Sequence, residues 1–519
     1  MNKDVKRESR RQGRVTRRQF LHNLSLVAGA AAAGGSFPIR FSSAAEAARR
    51  APKLRKRSRL NFIYIGTDTW RADYLGCYGN STIKTPYLDQ LAKESALFTN
   101  VYADGLPTIP HRRVIYTGRS ILPFEKHGSW RPLFPEDVTF AETLNRAGYT
   151  SGLIADCYHL FKPDMNFHRG FDSWEWVRGQ EFDMWHSGPR EKFDARDYLP
   201  KHLWEEDRYK DGQNPRVVQY LLNTQDRRSE DDFFCARTCR LAMRWLERNL
   251  SSKPFMLWLE MFDPHEPWDA PRRFQQMYYD KYPVERFLFG YGVDKERLKP
   301  EDIPALKGLY SAELTFSDLW IGRLLSRIRD LGLMDDTIVV FSTDHGTHLG
   351  EQGCVQKTPG FLNSLVARIP LIIRHPDASS FAGKRVDELI SAADYVPTFL
   401  DLLAVKGPVD RMTGKSFWPV VTGEKEAIND EVYVGFGSFA AVRTREWHYF
   451  ENLKTVAPVG STPEEYDFRK AMTAPGRGQG PALYDLKNDP GESKNVVEEH
   501  PEVVAEMRKR LATRFELKT

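Results

Sequence analysis

The chain has 519 residues, 41% of them hydrophobic and 12% aromatic, enough to bury a large core in one α/β domain with an appendage or in several domains. Its formal charge of +5 is a poor guide to partners: residues 1–50 hold 11 Lys/Arg against 3 Asp/Glu, which leaves 64 against 67, a net of −3, for the rest. A body without basic excess argues against nucleic acid as a partner.

The basic start reads as a targeting segment. Thr16-Arg17-Arg18-Gln19-Phe20-Leu21 is a twin-arginine pattern, followed by a weakly apolar run from Leu24 to Gly35 and small residues around Ser43-Ala44-Ala45-Glu46-Ala47. The apolar run is too short to span a bilayer. Residues 1–50 are therefore expected to be a signal peptide and linker read by the twin-arginine export machinery, placing the protein in the periplasm or outside the cell without a stable membrane span. Cys77, Cys157, Cys235, Cys239 and Cys354 are few and odd in number. Cys235 and Cys239 lack a second Cys/His pair for zinc, so the five are expected to be buried or to form at most two bridges.

Leu60 to Asp68 is a nearly continuous apolar run typical of a buried parallel strand, and it ends on a carboxylate. Such a position is where α/β sheets place ligands. Thr85-Pro86 opens a helix expected to run through Phe98, with Thr85 as its cap, and Phe98 to Ala103 reads as the next strand. A loop then delivers Thr108 to a helix expected to start near Pro110, with His111, Arg112 and Arg113 on its first turn. A hydroxyl, a helix N-terminus and guanidinium groups converging there suit attack on an anionic ester. Val138 to Ala147 reads as a helix, and Tyr149 to Asp156 as a strand with His159 just beyond.

From about 163 to 232 the alternation fades into an irregular insert rich in Trp, Arg and Asp, including Trp174, Trp176, Arg178, Gln180 and Trp185; a binding loop, a lid and a plain surface excursion all fit. Phe233–Leu250 is an amphipathic helix, and Phe255–Phe262 a strand leading into Asp263-Pro264-His265. Tyr310–Leu331 is a long helix. Thr337–Thr343 is a strand ending in Asp344-His345-Gly346-Thr347-His348, Ile369–Arg374 a further strand, and Ala392–Leu403 a helix. This alternation predicts an α/β fold with a mostly parallel central sheet and helices on both faces. From about Glu431 short antiparallel strands and a terminal helix from Pro501 suggest a small C-terminal α+β subdomain. The expected division is 1–50, 58–430 and 431–519.

The order of these pieces resembles the sulfatase branch of the alkaline phosphatase superfamily over nearly all of residues 60–519. Five matches carry the resemblance: Thr67-Asp68-Thr69-Trp70-Arg71-Ala72-Asp73 with Gly76-Cys-Tyr-Gly79; the loop ending Tyr116-Thr-Gly-Arg119; Asp263-Pro-His265; Ile321-Gly-Arg-Leu-Leu325 leading to Asp344-His345-Gly346 and Leu349-Gly-Glu351; and Leu483-Tyr-Asp-Leu-Lys-Asn-Asp-Pro-Gly-Glu492. It implies that Asp68, Asp344 and His345, with Thr108 as a fourth oxygen, hold one divalent ion. So hard and oxygen-rich a donor set suits Ca²⁺, Mg²⁺ or Mn²⁺ and also admits Zn²⁺.

The departures redirect the chemistry. Where that family forms formylglycine within Cys-x-Pro-Ser-Arg, this chain has Thr108-Ile-Pro110-His111-Arg112. Threonine cannot become the aldehyde whose hydrate expels sulfate by elimination, whereas phosphorus accepts a second attack by water. The second Asp of the family's metal pair is Thr69, and its Gly-Lys-x-His stretch is replaced by Ala155-Asp156-Cys157-Tyr158-His159. For Asp156 a salt bridge away from the site is expected, ahead of contact with a cationic substrate or a second metal. Hydrolysis of phosphate or phosphonate mono- or diesters through a Thr108 covalent intermediate is thus the expected activity. Arg112 and Lys357 would balance charge, and His265 or His348 would protonate the leaving oxygen. His111, His159 and Arg178 are expected to contact a small-molecule or glycan-linked anionic ester. The rivals are sulfuric-ester hydrolysis by a divergent site, phosphoryl transfer to an acceptor other than water, and a catalytically silent binding protein.

Overall fold

The computed structural model describes residues 59–121, 130–204, 211–290, 297–357, 360–377, 381–453 and 480–514. The basic segment read as an export signal lies outside them. The central sheet is built from β1 (Asn61–Thr67), β2 (Ala96–Tyr102), β4 (Thr150–Ala155), β5 (Ser173–Trp176), β6 (Phe255–Glu260), β7 (Thr337–Thr343), β10 (Arg368–Arg374) and β11 (Arg385–Ser391), in the order β11-β2-β10-β7-β1-β6-β4-β5. Only β10 runs against its neighbours; every other pairing is parallel.

The apolar run of β1 is continuous because both of its faces are covered. Phe62 and Tyr64 point into one hydrophobic cluster and Ile63 and Ile65 into the other. The first cluster includes residues of α2 (Thr108–Thr117), α3 (Phe140–Arg146) and α7 (Tyr395–Leu402); the second includes those of α1 (Pro86–Lys93), α4 (Pro215–Thr224), α5 (Phe234–Arg248) and α6 (Ile303–Asp330). The α/β architecture expected from the alternation is the one found.

A second, five-stranded sheet runs β15 (Ala482–Asp485), β14 (Trp447–Asn452), β13 (Phe439–Arg443), β12 (Val432–Phe436), β3 (Gly105–Leu106), and α8 (Pro501–Arg514) packs its Met507 and Leu511 into the first cluster. Its last strand comes from the loop just before Thr108: Gly435 and Phe436 pair with Gly105 and Leu106, and the Gly435 N–H donates to the Asp104 carbonyl at 2.8 Å. The small sheet is thereby bonded to the loop that carries the expected nucleophile.

Four local expectations need correction. Helix α1 ends at Lys93 rather than Phe98, because residues 96–98 are claimed by ladders to β10 and β11 on both sides of β2. Thr85 does not cap it; its hydroxyl accepts the Gly76 N–H, and the Tyr87 and Leu88 amides donate instead to the buried Asp318 carboxylate of α6 at 3.1 and 2.9 Å. Helix α2 begins at Thr108 with Pro110 in its third place, where a fixed φ and a missing N–H are still tolerated. Helix α6 begins at Ile303, seven residues before the apolar repeat made it visible. Among the described residues no cysteine pair forms a disulfide.

Candidate active site

Register places the site. Thr67 of β1 lies beside Thr343 of β7, so the next residues, Asp68 and Asp344, leave the sheet side by side. Gly66 of β1 lies beside Glu260 of β6, which brings a third carboxylate alongside. A Cβ at Gly66 would come within 2.7 Å of the Tyr64 ring and 3.2 Å of Glu260 Oε2, which explains the glycine there. All three carboxylates are buried.

Arg112, one turn into α2, reaches across them. Its Nη1 donates to Asp344 Oδ2 at 2.6 Å, to Asp68 Oδ2 at 3.2 Å and to the Thr108 carbonyl at 3.2 Å, while Nε donates to Glu260 Oε2 at 3.1 Å. Glu260 also accepts from Trp258 Nε1 at 2.9 Å. Arg112 Nη2 is buried and has no partner. The Thr108 carbonyl thus shares one guanidinium nitrogen with both aspartates. At the start of α2, Pro107 and Pro110 carry no N–H and His111 N–H donates to the Pro107 carbonyl, which leaves the Thr108 and Ile109 amides as the helix's unpaired donors among the described residues.

Thr69 turns the chain behind the aspartates. Its φ of 67° is unusual for a β-branched residue and is fixed on every side. Its N–H donates to Asp344 Oδ1 at 3.0 Å, its hydroxyl to Asp68 Oδ1 at 2.6 Å, and its carbonyl accepts from the Tyr310 hydroxyl at 2.7 Å. Threonine therefore occupies the place of the family's second carboxylate as a hydrogen-bond donor to the first.

His345 settles what the cluster can hold. Its Nδ1 lies 2.9 Å from the Gly346 carbonyl, which only accepts, so Nδ1 bears the hydrogen and Nε2 the lone pair. Burial lowers its pKa to about 3, so the ring is neutral. That lone pair faces Asp344 Oδ2 at 3.4 Å and Asp68 Oδ1 at 3.9 Å, with no hydrogen-bond donor between them. Lone pairs and anions aimed at one point call for a cation, and a ring N–H held by a carbonyl is the usual support of a metal-ligating histidine. One ligand atom from each of Asp68, Asp344 and His345 lies within 4.8 Å of the other two. Charge balance agrees: burial and the neighbouring Asp68 raise the Asp344 carboxyl, and one guanidinium serves three buried carboxylates. The residues fit a divalent ion.

His265 lies on the same side of the site. Its Nδ1 donates to the Glu266 carbonyl at 2.7 Å, so Nε2 accepts from Lys357 Nζ, also at 2.7 Å. Lys357 is 3.7 Å from Glu266 Oε1, and His265 stacks on Phe262. His348 donates Nδ1–H to the Gln356 carbonyl at 3.1 Å, and burial lowers its pKa to about 4, leaving a neutral ring with an unpartnered Nε2. His111 is fully buried with both ring nitrogens unpartnered, and burial together with Arg112 lowers its pKa.

The remaining expected residues are committed to other partners. His159 Nε2 lies 2.9 Å from Glu181, and burial lowers its pKa to about 4. Arg178 makes two bonds of 2.7 Å to Asp183 and lies over the Trp176 ring, so its guanidinium is committed within the insert. Asp156 is not in the salt bridge expected for it: its buried carboxylate accepts from the Phe262 N–H and the Thr238 hydroxyl, and burial with nearby Asp263 raises its pKa. Asp263 accepts from Gln180 Nε2 at 2.5 Å and from the Cys235 N–H at 3.1 Å, which ties the insert to the first turn of α5.

Sequence reasoning missed Glu260 and Tyr310. Glu260 could have been found as the single charge in the otherwise apolar run from Phe255 to Phe262. Tyr310 lies within an unbroken helical pattern and gave no signal.

Comparison with known proteins agrees with the fold. The family model described as Sulfatase matches residues 60–405, and one described as N-sulphoglucosamine sulphohydrolase, C-terminal, matches residues 350–516. An ulvan-active sulfatase of Formosa agariphila is 28% identical over 75% of this chain and 72% of its own. An N-acetylglucosamine-6-O-sulfatase of Bacteroides thetaiotaomicron is 25% identical over 86% and 84%. Among solved structures, a phosphonate monoester hydrolase of Agrobacterium radiobacter superposes with a TM-score of 0.66 at 20% identity, covering 88% of this chain and 95% of its own.

Proposed function

The chain belongs to the sulfatase family of the alkaline phosphatase superfamily, and on that premise we propose that it hydrolyses phosphate or phosphonate esters through a covalent bond to Thr108. The observation that carries the reading is a threonine, not a formylglycine precursor, at the head of α2, its carbonyl bonded to the arginine that spans both metal-type aspartates.

A divalent ion bound by Asp68, Asp344, His345 and the Thr108 hydroxyl would supply Lewis acidity, acidifying that hydroxyl and shielding the anionic ester. The Thr108 oxygen forms a bond to phosphorus as the ester oxygen departs in line. Arg112 Nη2 and the Thr108 and Ile109 amides, which have no partner among the described residues, supply donors to the non-bridging oxygens. His111, three residues on along the same helix face, offers an unpartnered neutral ring to the proton that Thr108 gives up. The leaving oxygen takes its proton from Lys357, whose ammonium is held in place by its hydrogen bond to His265 Nε2. Of the two histidines expected to act as acid, His348 is neutral and the His265 lone pair is occupied by lysine, so the pair replaces either ring alone. Water then gives a proton back to Lys357 as it attacks phosphorus, and the freed Thr108 oxygen recovers its proton from His111.

No helix among the described residues is long and apolar enough to cross a membrane, and the twin-arginine pattern at residues 16–21 supports export. Sulfuric-ester hydrolysis is the second reading, favoured by the names of the curated relatives. Metal-analysed protein screened on nitrophenyl sulfate, phosphate, phosphodiester and phosphonate esters, with Thr108→Ala beside it, separates the two. Turnover of the sulfate alone would refute the phosphorus reading.

A further inference from the structure

Glu492, at the end of the motif Leu483–Glu492, lies on the far side of the small sheet's sequence from Thr108, yet it is buried and touches the segment that presents Lys357. Its Oε2 accepts the Ser364 N–H at 2.7 Å and its Oε1 the Ser364 hydroxyl at 2.6 Å. Its own carbonyl accepts from Gln352 Nε2 at 2.9 Å, and Gln352 Oε1 accepts from Asn363 Nδ2 at 3.1 Å. Arg443 donates to the same carboxylate, and His448 Nδ1 lies 3.3 Å from it.

These contacts grip the segment at both ends. Gln352 is the tip of a hairpin whose strands, β8 (His348–Leu349) and β9 (Val355–Gln356), set His348 opposite Gln356 and lead directly to Lys357. Ser364 opens the turn that feeds β10. Three residues in this contact are held in the left-handed region without being glycine: Gln352 at φ 53°, Gln356 at 63° and Glu492 at 54°. Such conformations cost about 1–3 kcal/mol each and persist only where surrounding bonds over-determine them. Two of the three lie in the hairpin and the third is the residue that grips its tip.

We infer that Glu492 is a positioning residue of the active site: through Gln352 and Ser364 it fixes the segment that presents His348 and Lys357. The inference rests on the hydrolytic reading, since it gives the small sheet a part in the reaction at a residue that touches no substrate. Burial would raise the Glu492 pKa, but His448 and Arg443 hold it low, so the carboxylate stays charged and its grip is charge-assisted.

The test compares Glu492→Gln, which keeps the shape and loses the charge, with Gln352→Ala, which removes the bonds of the hairpin tip to the Glu492 carbonyl and to Asn363. Both are assayed on the alkyl phosphate or phosphonate ester the wild type turns over best, whose poor leaving oxygen needs the proton from Lys357, and both by hydrogen exchange of residues 347–357. Glu492→Gln should lower kcat about 10- to 100-fold with KM little changed. Gln352→Ala should fall in the same direction, and exchange of 347–357 should rise in both variants while β1 and β7 stay protected. If Glu492→Gln does not fold, Gln352→Ala and its exchange decide. Unchanged kcat and exchange in Gln352→Ala would overturn the proposal and leave Glu492 a core ion-pair partner. Failure of the wild type on every ester would defeat the hydrolytic reading instead, and the exchange result would still decide whether Glu492 orders the segment.

Discussion

Removing one hydroxyl, Tyr310→Phe, should loosen the metal carboxylates without touching them. The Tyr310 hydroxyl donates to the Thr69 carbonyl at 2.7 Å and accepts the Arg71 N–H at 2.8 Å, and the residue is fully buried. Phenylalanine fills the same space but leaves both backbone groups without a partner. Each such group costs about 1–3 kcal/mol, so a loss of about 2–6 kcal/mol is expected. The strain at Thr69 then has one restraint fewer, and its bonds to Asp68 and Asp344 should weaken enough to lower metal affinity about tenfold, equivalent to about 1.4 kcal/mol. Urea denaturation reads the first effect as a lower midpoint at constant slope, and calorimetric metal titration reads the second. Thr69→Gly supplies the cross-check: glycine adopts φ 67° without strain, so the double variant should lose less affinity than the two single effects added. A stability loss below about 0.5 kcal/mol with unchanged affinity would show that Tyr310 does not hold this turn, and the reasoning would fail.

Thr69→Asp should raise metal affinity about tenfold by calorimetry, since aspartate tolerates the left-handed backbone better and adds a carboxylate beside Asp68; unchanged affinity would count against the cation lying on that side. Arg112→Lys should cost about 3–5 kcal/mol in denaturant unfolding, because one ammonium cannot span Glu260 and Asp344 and leaves a buried carboxylate unpaired. Lys357→Met should slow esters of poor leaving groups by about 10²–10⁴ while sparing nitrophenyl esters, and equal effects on both would remove Lys357 as the proton source. Asp318, pushed up to about 7 by burial, keeps a proton in the native chain that the unfolded chain loses near 4. Stability should therefore fall as pH rises through that window, by at most about 4 kcal/mol, with the loss complete above 7. Asp318→Asn should flatten that slope in melting curves, and an identical slope in both proteins would refute the assignment.

The sheet was legible because its strands are apolar on both faces, and Asp68 and Asp344 were legible because each terminates such a run. Boundaries failed where tertiary partners outvoted local pattern: the helix expected through Phe98 stops at Lys93 because β2 is paired on both sides, and the α1 cap comes from Asp318, more than two hundred residues away. At the site, residue types announced ligands and a nucleophile, but hydrogen-bond direction was invisible. Only the carbonyls of Gly346, Glu266 and Gln356 fix which nitrogen of His345, His265 and His348 bears a hydrogen, and that is why Lys357 is the proposed proton source. Glu260 meets the site through Arg112 and Tyr310 through the backbone of Thr69 and Arg71, at sequence distances that no local motif records.

The central claim is the bond from Thr108 to phosphorus. Protein quenched in acid during turnover of a nitrophenyl ester carrying radiolabelled phosphorus should retain label, and the label should map to the peptide containing Thr108, be absent from Thr108→Ala, and decay when unlabelled substrate is chased before the quench. Steady turnover of the phosphorus ester with no label on Thr108, or full activity in Thr108→Ala, would contradict the account.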